Sequence, residues 1–433
     1  MNLPEGLWPK ILYLAVLGSA AAALFSIAVS QILLGVAIVA FLVVRPRLEL
    51  PGWMIPLGLF VVWTLLGWLS GGAQGGGLPQ IRKLYVLTLL PLVYLTLRGV
   101  ADFKALALAW LAAGTVAAIR SCWQFAAKWT YAVRAGEDFY RSYVADRITG
   151  FMSHWMTFSS QMMFVFLVSL CLLLWGGLGR RLRWLAMFAL AVTGTALVLG
   201  FTRGIWIATA AAVLFLLARW KPWSVLVLPV ALIAITAAGP ESLRNRVTSM
   251  VRDHGQLDSN QHRIACWSTG LVMIETHPVL GVGLEQVGRQ FNSYAPARIP
   301  RPLPEGFYGH LHNIYLQYAA ERGIPAAVFM VVFLVWPAWI WLRASRRLIS
   351  SARAQASQSS VESGDRESAR PAGPISPHPS LWALNLGIAI VIGVLVTGIF
   401  EHNLGDSEVL MLALSVLGAT GAAHRELNRS LPG

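Results

Sequence analysis

The sequence predicts an all-α, polytopic membrane protein with about twelve transmembrane helices. Its 433 residues are 56% hydrophobic and only 12% charged, whereas a soluble protein of this length carries about a quarter charged residues. The apolar residues also occur in blocks close to membrane-spanning length. Most of these blocks are apolar on all sides and do not follow an amphipathic 3.6-residue period. Composition and block length together indicate a membrane protein.

The apolar blocks place the spans in chain order. We predict them near residues 9–24, 28–44, 53–70, 81–97, 105–128, 154–175, 185–201, 204–218, 223–239, 313–342, 381–400 and 407–423. The connections dense in arginine and lysine all fall on one side, which the positive-inside rule assigns to the cytoplasm together with both termini. The first apolar block has no convincing cleavage site, so it is predicted to be a span and not a cleaved signal.

A domain organisation follows from these spans. Residues 1–239 hold nine spans with short loops, residues 240–312 form a helical loop region on the outer face, and residues 313–342 form the tenth span. Residues 343–380 are rich in Ser, Ala and Pro, and we expect a flexible cytoplasmic linker there. Residues 381–433 hold the last two spans and a C-terminal tail.

The outer loop region should contain two helices. Ser259-Asn260 has the chemistry of a helix N-cap, and His277-Pro278 ends the helix that follows it. The apolar residues of this helix fall on one stripe, consisting of Ile264, Trp267, Leu271 and Ile274. A second short helix is expected from Leu284 to Phe291.

Composition disfavours several classes of function. The three cysteines, Cys122, Cys171 and Cys266, are too few and too scattered for a disulfide framework or a zinc site. No other metal-ligand spacing is visible, so no metal or cofactor is predicted. The net charge of +14 is spread between apolar segments and not gathered in a soluble domain. Membrane lipids are therefore predicted partners, and nucleic acid is not.

Three outward arginines occupy positions that membrane orientation does not explain. Arg82 and Arg203 are predicted at the outer, N-terminal ends of spans, and Arg263 in the first turn of the outer helix. The helix macrodipole disfavours a cation at each position and favours an anion. We therefore predict that they share an anionic group, such as a lipid phosphate or pyrophosphate. For any single arginine, snorkelling to headgroups or a local ion pair is an equal alternative.

A candidate general base lies in His310-Leu311-His312-Asn313, at the start of the tenth span. His312 is close to a helix N-terminus, which favours the neutral imidazole that accepts a proton from a sugar hydroxyl. A structural histidine at the membrane interface is the competing interpretation. Glu401, in the segment Phe400-Glu401-His402-Asn403 between the last two spans, is a second proton-transfer candidate. The Pro/Gly turn His277–Gly283 is expected to have a packing role.

These segments resemble motifs of the O-antigen ligase and polymerase superfamily. Thr202-Arg203-Gly204-Ile205-Trp206 resembles its Thr/Ser-Arg-Gly-x-Trp segment. Arg263 and Trp267, followed by His277-Pro278-Val279-Leu280-Gly281-Val282-Gly283, resemble its Arg…Trp…His-Pro-Leu-Leu-Gly-x-Gly stretch. His312-Asn313-Ile314-Tyr315-Leu316-Gln317 with Glu321-Arg322-Gly323 resembles its His-Asn-x-Tyr-Leu…Glu-x-Gly block. The motifs cover residues 200–325, while the span count and the long outer loop match over the whole chain.

The resemblance implies a GT-C-like glycosyltransferase of the bacterial inner membrane. It would transfer O-antigen from undecaprenyl pyrophosphate to a hydroxyl of the lipid A–core oligosaccharide on the periplasmic face. By motif, Arg203 and Arg263 would hold pyrophosphate and His312 would activate the acceptor, in a metal-independent, inverting displacement. The additional His310 leaves open which imidazole is the base. Other substrate-binding residues are expected nearby: Arg82, Arg147, His310, Asn313, Tyr315, Glu401 and His402.

The polymerase branch shares these motifs and is the first alternative. The ligase is favoured because the outer loop is predicted to hold one compact helical unit and because Glu401-His402-Asn403 resembles the ligase pattern. Protein glycosylation is disfavoured, since no added soluble domain is present to bind polypeptide. A membrane transporter, from another class, should carry ionisable groups near the bilayer midplane on broken helices. Here the candidates cluster at the outer boundary.

Overall fold

A computed structural model describes residues 4–70, 77–249, 260–304, 306–362 and 378–430, and all regular secondary structure in these ranges is helical. The helices are α1 (Leu7–Ala22), α2 (Ile27–Val44), α3 (Ile55–Ser70), α4 (Leu78–Lys83), α5 (Leu89–Thr96), α6 (Val100–Ala135), α7 (Phe139–Ala145), α8 (Trp155–Trp175), α9 (Arg180–Leu199), α10 (Arg203–Trp220), α11 (Val227–Ala238), α12 (Glu241–Thr248), α13 (Asn260–Thr276), α14 (Gln286–Tyr294), α15 (Ile314–Arg322), α16 (Ile324–Glu362), α17 (Leu381–Phe400) and α18 (Ser407–Ser430).

The prediction of an all-α, polytopic membrane protein is confirmed. Within the described ranges, nine helical segments are long and apolar enough to cross a membrane: α2, α3 with its preceding turn, α6, α8, α9, α10, α16, α17 and α18. Two shorter apolar segments, Leu7–Ala22 and Pro222–Ala238, lie at two further predicted spans. The span predicted at 81–97 is divided into α4, a 3₁₀ turn and α5.

The outer surface of the bundle has the composition expected for contact with lipid. α11 is strongly apolar but contains no buried residue, and Val230 and Ile233 are 63% and 64% exposed. In water such a surface would form an adhesive patch. In hydrocarbon these exposed apolar side chains carry no penalty. The backbone carries none either, because the helix satisfies its polar groups internally. α11 is therefore suited to a bilayer.

Three helices form the centre of the bundle. Within an apolar 18-residue stretch of each helix, the share of buried residues is 78% in α8, 72% in α17 and 83% in α18, against 22% in α2. Glycines allow close packing here, since a Cβ at Gly387 of α17 would lie 2.7 Å from the side chain of Thr420 of α18. The connection between α17 and α18, residues 401–406, therefore lies centrally at one end of the bundle. We call this end the site end.

Basic side chains gather at the opposite end, which we call the basic end. Arg219, in the last turn of α10, donates to Ser345 Oγ (2.9 Å). Lys104 of α6 donates from Nζ to the carbonyl oxygen of Gly176, which follows α8 (2.7 Å). Arg219 and Lys104 thus lie at this end of the bundle, whereas Arg203 and Arg263 lie at the site end.

The predicted tenth span, 313–342, is two helices and not one. Gly323 separates α15 from α16 with a positive φ of 83°. A Cβ at Gly323 would lie 1.8 Å from the carbonyl oxygen of Val279, so only glycine lets the two backbones approach. The turn His277–Gly283 docks at this break, and its Val282 N–H donates to the Ala320 carbonyl (2.7 Å). The packing role predicted for the turn is confirmed.

Replacement of Gly281 in this turn should destabilise the protein. Gly281 has a positive φ of 70°, and a Cβ there would lie 2.3 Å from the backbone carbon of Glu321. A left-handed conformation costs a residue with a side chain about 1–3 kcal/mol, and the backbone collision adds to this. We expect Gly281→Ala to lower the free energy of unfolding by about 3 kcal/mol or more. Denaturant unfolding in detergent would measure this, with Gly35→Ala, which has open space around its Cβ position, as the control.

α16 continues beyond the predicted start of the cytoplasmic linker. It is helical to Glu362, so the first part of the 343–380 segment is helix, contrary to the prediction. The physical reason is local, because residues 346–356 are rich in Ala and Arg, which have high helix propensity. Residues 363–377 of the predicted linker lie outside the described residues, as does Ser259 of the predicted helix cap.

Candidate active site

His312 is positioned by the N-terminal cap of α15. The side-chain oxygen of Asn313 accepts hydrogen bonds from the N–H groups of Tyr315 and Leu316, both at 3.0 Å. Its amide nitrogen donates to the Ile399 carbonyl near the end of α17 (3.1 Å). His312, directly before the cap, has a positive φ of 49°, a left-handed conformation that costs free energy in a residue with a side chain. Asn313 therefore uses its polar atoms to hold His312 against α17.

Glu401 joins His312 to Arg263. This carboxylate is only 6% exposed, and its Oε1 accepts from Arg263 Nη2 at 2.8 Å. Its Oε2 lies 3.4 Å from His312 Nδ1. On the other side of the ring, His312 Nε2 lies 3.1 Å from the carbonyl oxygen of Phe307. A neutral imidazole has one N–H. With that N–H donated to Glu401, Nε2 can accept a proton once the Phe307 carbonyl moves aside.

Three other imidazoles lie around His312. The ring centre of His310 is 4.1 Å from that of His312, and the His262 ring is 4.9 Å from it. Burial, reinforced by nearby His312, lowers the pKa of His310 to about 2 and that of His262 to about 4. The His402 ring lies 5.6 Å from His310, and burial lowers the pKa of His402 to about 3. Since a group with so low a pKa is a poor proton acceptor, His310, His262 and His402 are poorly suited to act as a general base.

Arg203 and Arg263 line one cavity of about 240 Å³, which we call the arginine cavity. Arg203 is the first residue of α10 and Arg263 lies in the first turn of α13, so two positive helix ends meet here. Arg203 is buried, and its Nη1 donates to Ser249 Oγ (3.1 Å). Trp267 and Phe400 contribute aromatic walls. The cavity thus combines guanidinium groups and helix N-termini, both of which favour an anion.

Arg147 and Arg246 add positive charge near Arg203. Arg147 is buried, with its guanidinium 5.1 Å from the ring of Trp155. Arg246 of α12 is also buried and donates from Nε to the Phe201 carbonyl (2.8 Å). Burial and the charge of Arg246, with a smaller effect of Arg203, lower the pKa of Arg147 to about 9. An anion bound among these groups would offset their mutual repulsion.

Arg82 is not at a helix N-terminus, contrary to the prediction. α4 begins at Leu78, because Gly77 adopts a positive φ of 89° and Pro79 occupies the first turn. Arg82 therefore lies exposed in the last turn of α4, where the macrodipole favours a cation. It does not line the arginine cavity. Its neighbour Lys83 lines a larger cavity beside His310.

Tyr315 and His402, both predicted to bind substrate, occupy different environments. The hydroxyl of Tyr315 donates to the Leu395 carbonyl of α17 (2.6 Å), so this side chain braces α15 against α17. His402 lies in the α17–α18 connection, with its ring 5.9 Å from that of Tyr318, and lines the larger cavity. The sequence predicted the same role for both residues. In the structure, Tyr315 holds two helices together, whereas His402 lines a cavity.

Three residues near the site were not predicted, namely Arg246, His262 and Lys83. His262 Nε2 lies 3.0 Å from the same Phe307 carbonyl that faces His312. The sequence signal for His262 and Lys83 was their adjacency to Arg263 and Arg82. Arg246 carried no comparable signal, because its position depends on how α12 packs against the start of α10.

Comparison with known families agrees with the motif resemblance. Residues 188–331 match the family described as O-antigen ligase. The matched segment contains Arg203, Arg263 and His312, whereas Glu401 lies outside it. No curated protein matches the chain. Over residues 188–331, this multi-pass helical membrane protein is therefore similar to the O-antigen ligase family.

Proposed function

We propose that the protein is an O-antigen ligase that transfers a glycan from undecaprenyl pyrophosphate to a hydroxyl of the lipid A–core oligosaccharide. One observation carries the proposal, namely that Arg263, Glu401 and His312 form a continuous chain. This chain links a cavity lined by guanidinium groups to an imidazole. Glycosyl transfer from a diphosphate needs an anion-binding group and a proton acceptor at one place.

The arginine cavity suits the diphosphate of the donor. Arg203 and Arg263 can each form paired hydrogen bonds with phosphate oxygens, and both lie at helix N-termini that favour negative charge. The cavity is also lined by Ile207 and Ile264, which are 40% and 62% exposed. Their exposed apolar side chains provide a surface for the prenyl chain next to the charged headgroup.

The chemistry follows from these positions. Nε2 of His312 accepts the proton of the acceptor hydroxyl, and the hydroxyl oxygen forms a bond to the anomeric carbon of the donor sugar from the face opposite the diphosphate. The bond between that carbon and the phosphate oxygen breaks, and undecaprenyl pyrophosphate departs with the electron pair. Arg203 and Arg263 stabilise the charge that develops on the leaving group. The anomeric configuration is inverted, and no metal ion is needed for this charge.

Charge distribution supports an orientation. The basic end carries Arg219 and Lys104, and the positive-inside rule assigns such an end to the cytoplasm. The site end then faces the periplasm, where both lipid-linked substrates present their glycans. We therefore propose a protein of the bacterial inner membrane with a periplasmic active site and both termini in the cytoplasm.

Glu401 should act as a positioning residue for His312. We expect Glu401→Gln to lower kcat by about 10–100-fold, because the neutral amide no longer stabilises the imidazolium formed when His312 takes the proton. The KM for the donor should change little, since Gln retains an oxygen that accepts from Arg263. Steady-state transfer kinetics would separate the two constants.

Glu401→Asp, which retains the charge, should keep more activity than Glu401→Gln. Glu49→Gln is the matched control, because Glu49 is an exposed carboxylate. Unchanged kcat in Glu401→Gln would refute this role.

Deletion of the gene, followed by electrophoresis of the lipopolysaccharide, tests the proposed function directly. We expect unsubstituted core and glycan polymer retained on its carrier lipid, restored by the wild-type gene. Core that carries a single repeat would indicate the polymerase instead. Unchanged lipopolysaccharide would exclude both enzymes and leave transport as the alternative.

Purified protein should retain transfer activity in EDTA, and complete inhibition by EDTA would contradict the metal-independent mechanism.

A further inference from the structure

A second cavity, of about 620 Å³, lies beside His310 and shares no lining residue with the arginine cavity. One part of its wall is polar and includes Gln80, Gln317 and Glu321. Another part is apolar and is formed by membrane-helix side chains, among them Met330 of α16 and Leu410 of α18. The cavity is therefore amphipathic, and its shape and polarity suit a ligand with a polar head and an apolar tail.

The polar part of the wall is a prearranged network centred on Glu321. This carboxylate is 2% exposed and accepts from Gln80 Nε2 (3.1 Å), from the Glu285 N–H (3.1 Å) and from Arg322 Nη1 (2.8 Å). Arg322 also donates to the Gln80 side-chain oxygen. Each group is held by at least two contacts, so the wall needs little reorganisation when a ligand binds.

Two buried polar atoms in this wall lack partners. Arg322 is nine-tenths buried, and its Nε has no hydrogen-bond partner within the described part of the chain. The same holds for Nε2 of His402. Both side chains line the cavity. A buried polar atom without a partner costs free energy, so the wall would gain hydrogen bonds where a polar ligand or a water molecule reaches either atom.

The neutral polar and aromatic groups of the wall suit a sugar, and the wall also carries the cations Lys83 and Arg289. The low pKa values of His310 and His402, about 2 and 3, leave both imidazoles neutral at pH 7. A neutral imidazole has one donor and one acceptor, as a hydroxyl does. The rings of Phe60, Tyr318 and Phe307 also line the cavity. Aromatic faces combined with a few placed hydrogen-bonding groups are typical of pockets that bind and orient a small ligand group.

We propose that the second cavity binds the lipid-anchored acceptor glycan, with its sugar head on the Glu321 network and its acyl chains along the membrane-helix wall. The inference rests on the proposed function. His312 would then stand between two separate substrate sites. On one side Glu401 connects it to the arginine cavity, and on the other side Phe307 lines the second cavity while its carbonyl lies 3.1 Å from Nε2. An acceptor hydroxyl from this cavity would replace that carbonyl at Nε2.

Equilibrium binding to the full-length protein in lipid nanodiscs tests this separation. The probes are lipid A carrying its core oligosaccharide and undecaprenyl pyrophosphate without a glycan, so no turnover occurs. We expect Leu410→Trp and Lys83→Trp, at a packed and an exposed position of the second cavity, to weaken binding of the glycolipid by about tenfold or more. Binding of undecaprenyl pyrophosphate should stay unchanged and thereby report a folded protein.

Ile207→Trp is the matched control, because it fills the arginine cavity instead. It should weaken binding of undecaprenyl pyrophosphate and spare the glycolipid. The proposal is overturned if neither second-cavity variant weakens glycolipid binding, or if the two lipids compete for one site. Should the wild-type protein bind undecaprenyl pyrophosphate but no glycolipid, the acceptor site alone is refuted. Absence of undecaprenyl pyrophosphate binding would instead refute the proposed function.

Discussion

His312→Ala is expected to lower the rate of glycan transfer by about 10²–10⁴-fold, the usual contribution of a positioned general base. The loss follows from the geometry, since Glu401 and the Asn313 cap hold this imidazole in place and the other nearby imidazoles have very low pKa values. Transfer between purified lipid-linked substrates would measure the effect. Binding of undecaprenyl pyrophosphate should be retained, because the arginine cavity does not include His312.

Two other histidines provide the controls for this experiment. His277 is exposed and contacts Thr276 and Tyr294 outside the site, so His277→Ala should transfer at nearly the wild-type rate. His310→Ala should show a smaller loss than His312→Ala, since His310 lines the second cavity and is a poor proton acceptor. A total loss in His310→Ala with activity retained in His312→Ala would assign the base to His310.

Arg203→Ala and Arg263→Ala should each lower kcat by about 10²–10³-fold, comparable to removal of a donor to developing negative charge. Arg203 is buried and anchored at Ser249, so its guanidinium is already placed for the leaving diphosphate. Loss of Arg263 has a second consequence, because it also removes the partner that holds Glu401. Steady-state kinetics with each variant, together with binding of undecaprenyl pyrophosphate, would measure both effects.

Arg82→Ala is the matched control for the two arginine variants. Arg82 is exposed and lies outside the arginine cavity, so its loss should leave kcat and donor binding close to wild type. Arg203→Lys should retain more activity than Arg203→Ala but less than the wild type, since an ammonium group lacks the paired donors of a guanidinium. Wild-type activity in both Arg203→Ala and Arg263→Ala would refute the proposed donor site.

Local sequence patterns located part of the candidate site. Arg203 and Arg263 stand out because a cation at a helix N-terminus is unfavourable without an anion, and this effect acts within one helical turn. The same reasoning gave the wrong position for Arg82, because Gly77 and Pro79 start α4 one turn earlier than the hydrophobic block suggested.

Local sequence patterns could not predict which side chains far apart in the chain would contact each other. Glu401 contacts Arg263 across 138 residues and His312 across 89. The contacts arise because α17 lies at the centre of the bundle and its C-terminal end, which Glu401 follows, lies beside Arg263 and His312. The second cavity likewise needs α4, α15, α16 and α18 together, and none of these helices defines it alone.

By itself, the sequence determined that the chain is a helical membrane protein, where most of its spans lie and which polar residues are misplaced for simple orientation. These properties depend on transfer of apolar segments into a bilayer and on charges within one turn of a helix end, which are local. Only the tertiary structure decided that Arg82 lies outside the arginine cavity, that Glu401 bridges Arg263 and His312, and that the second cavity shares no lining residue with the arginine cavity. The reason is that these relations depend on the relative positions of packed helices, which are set by contacts between residues far apart in the chain.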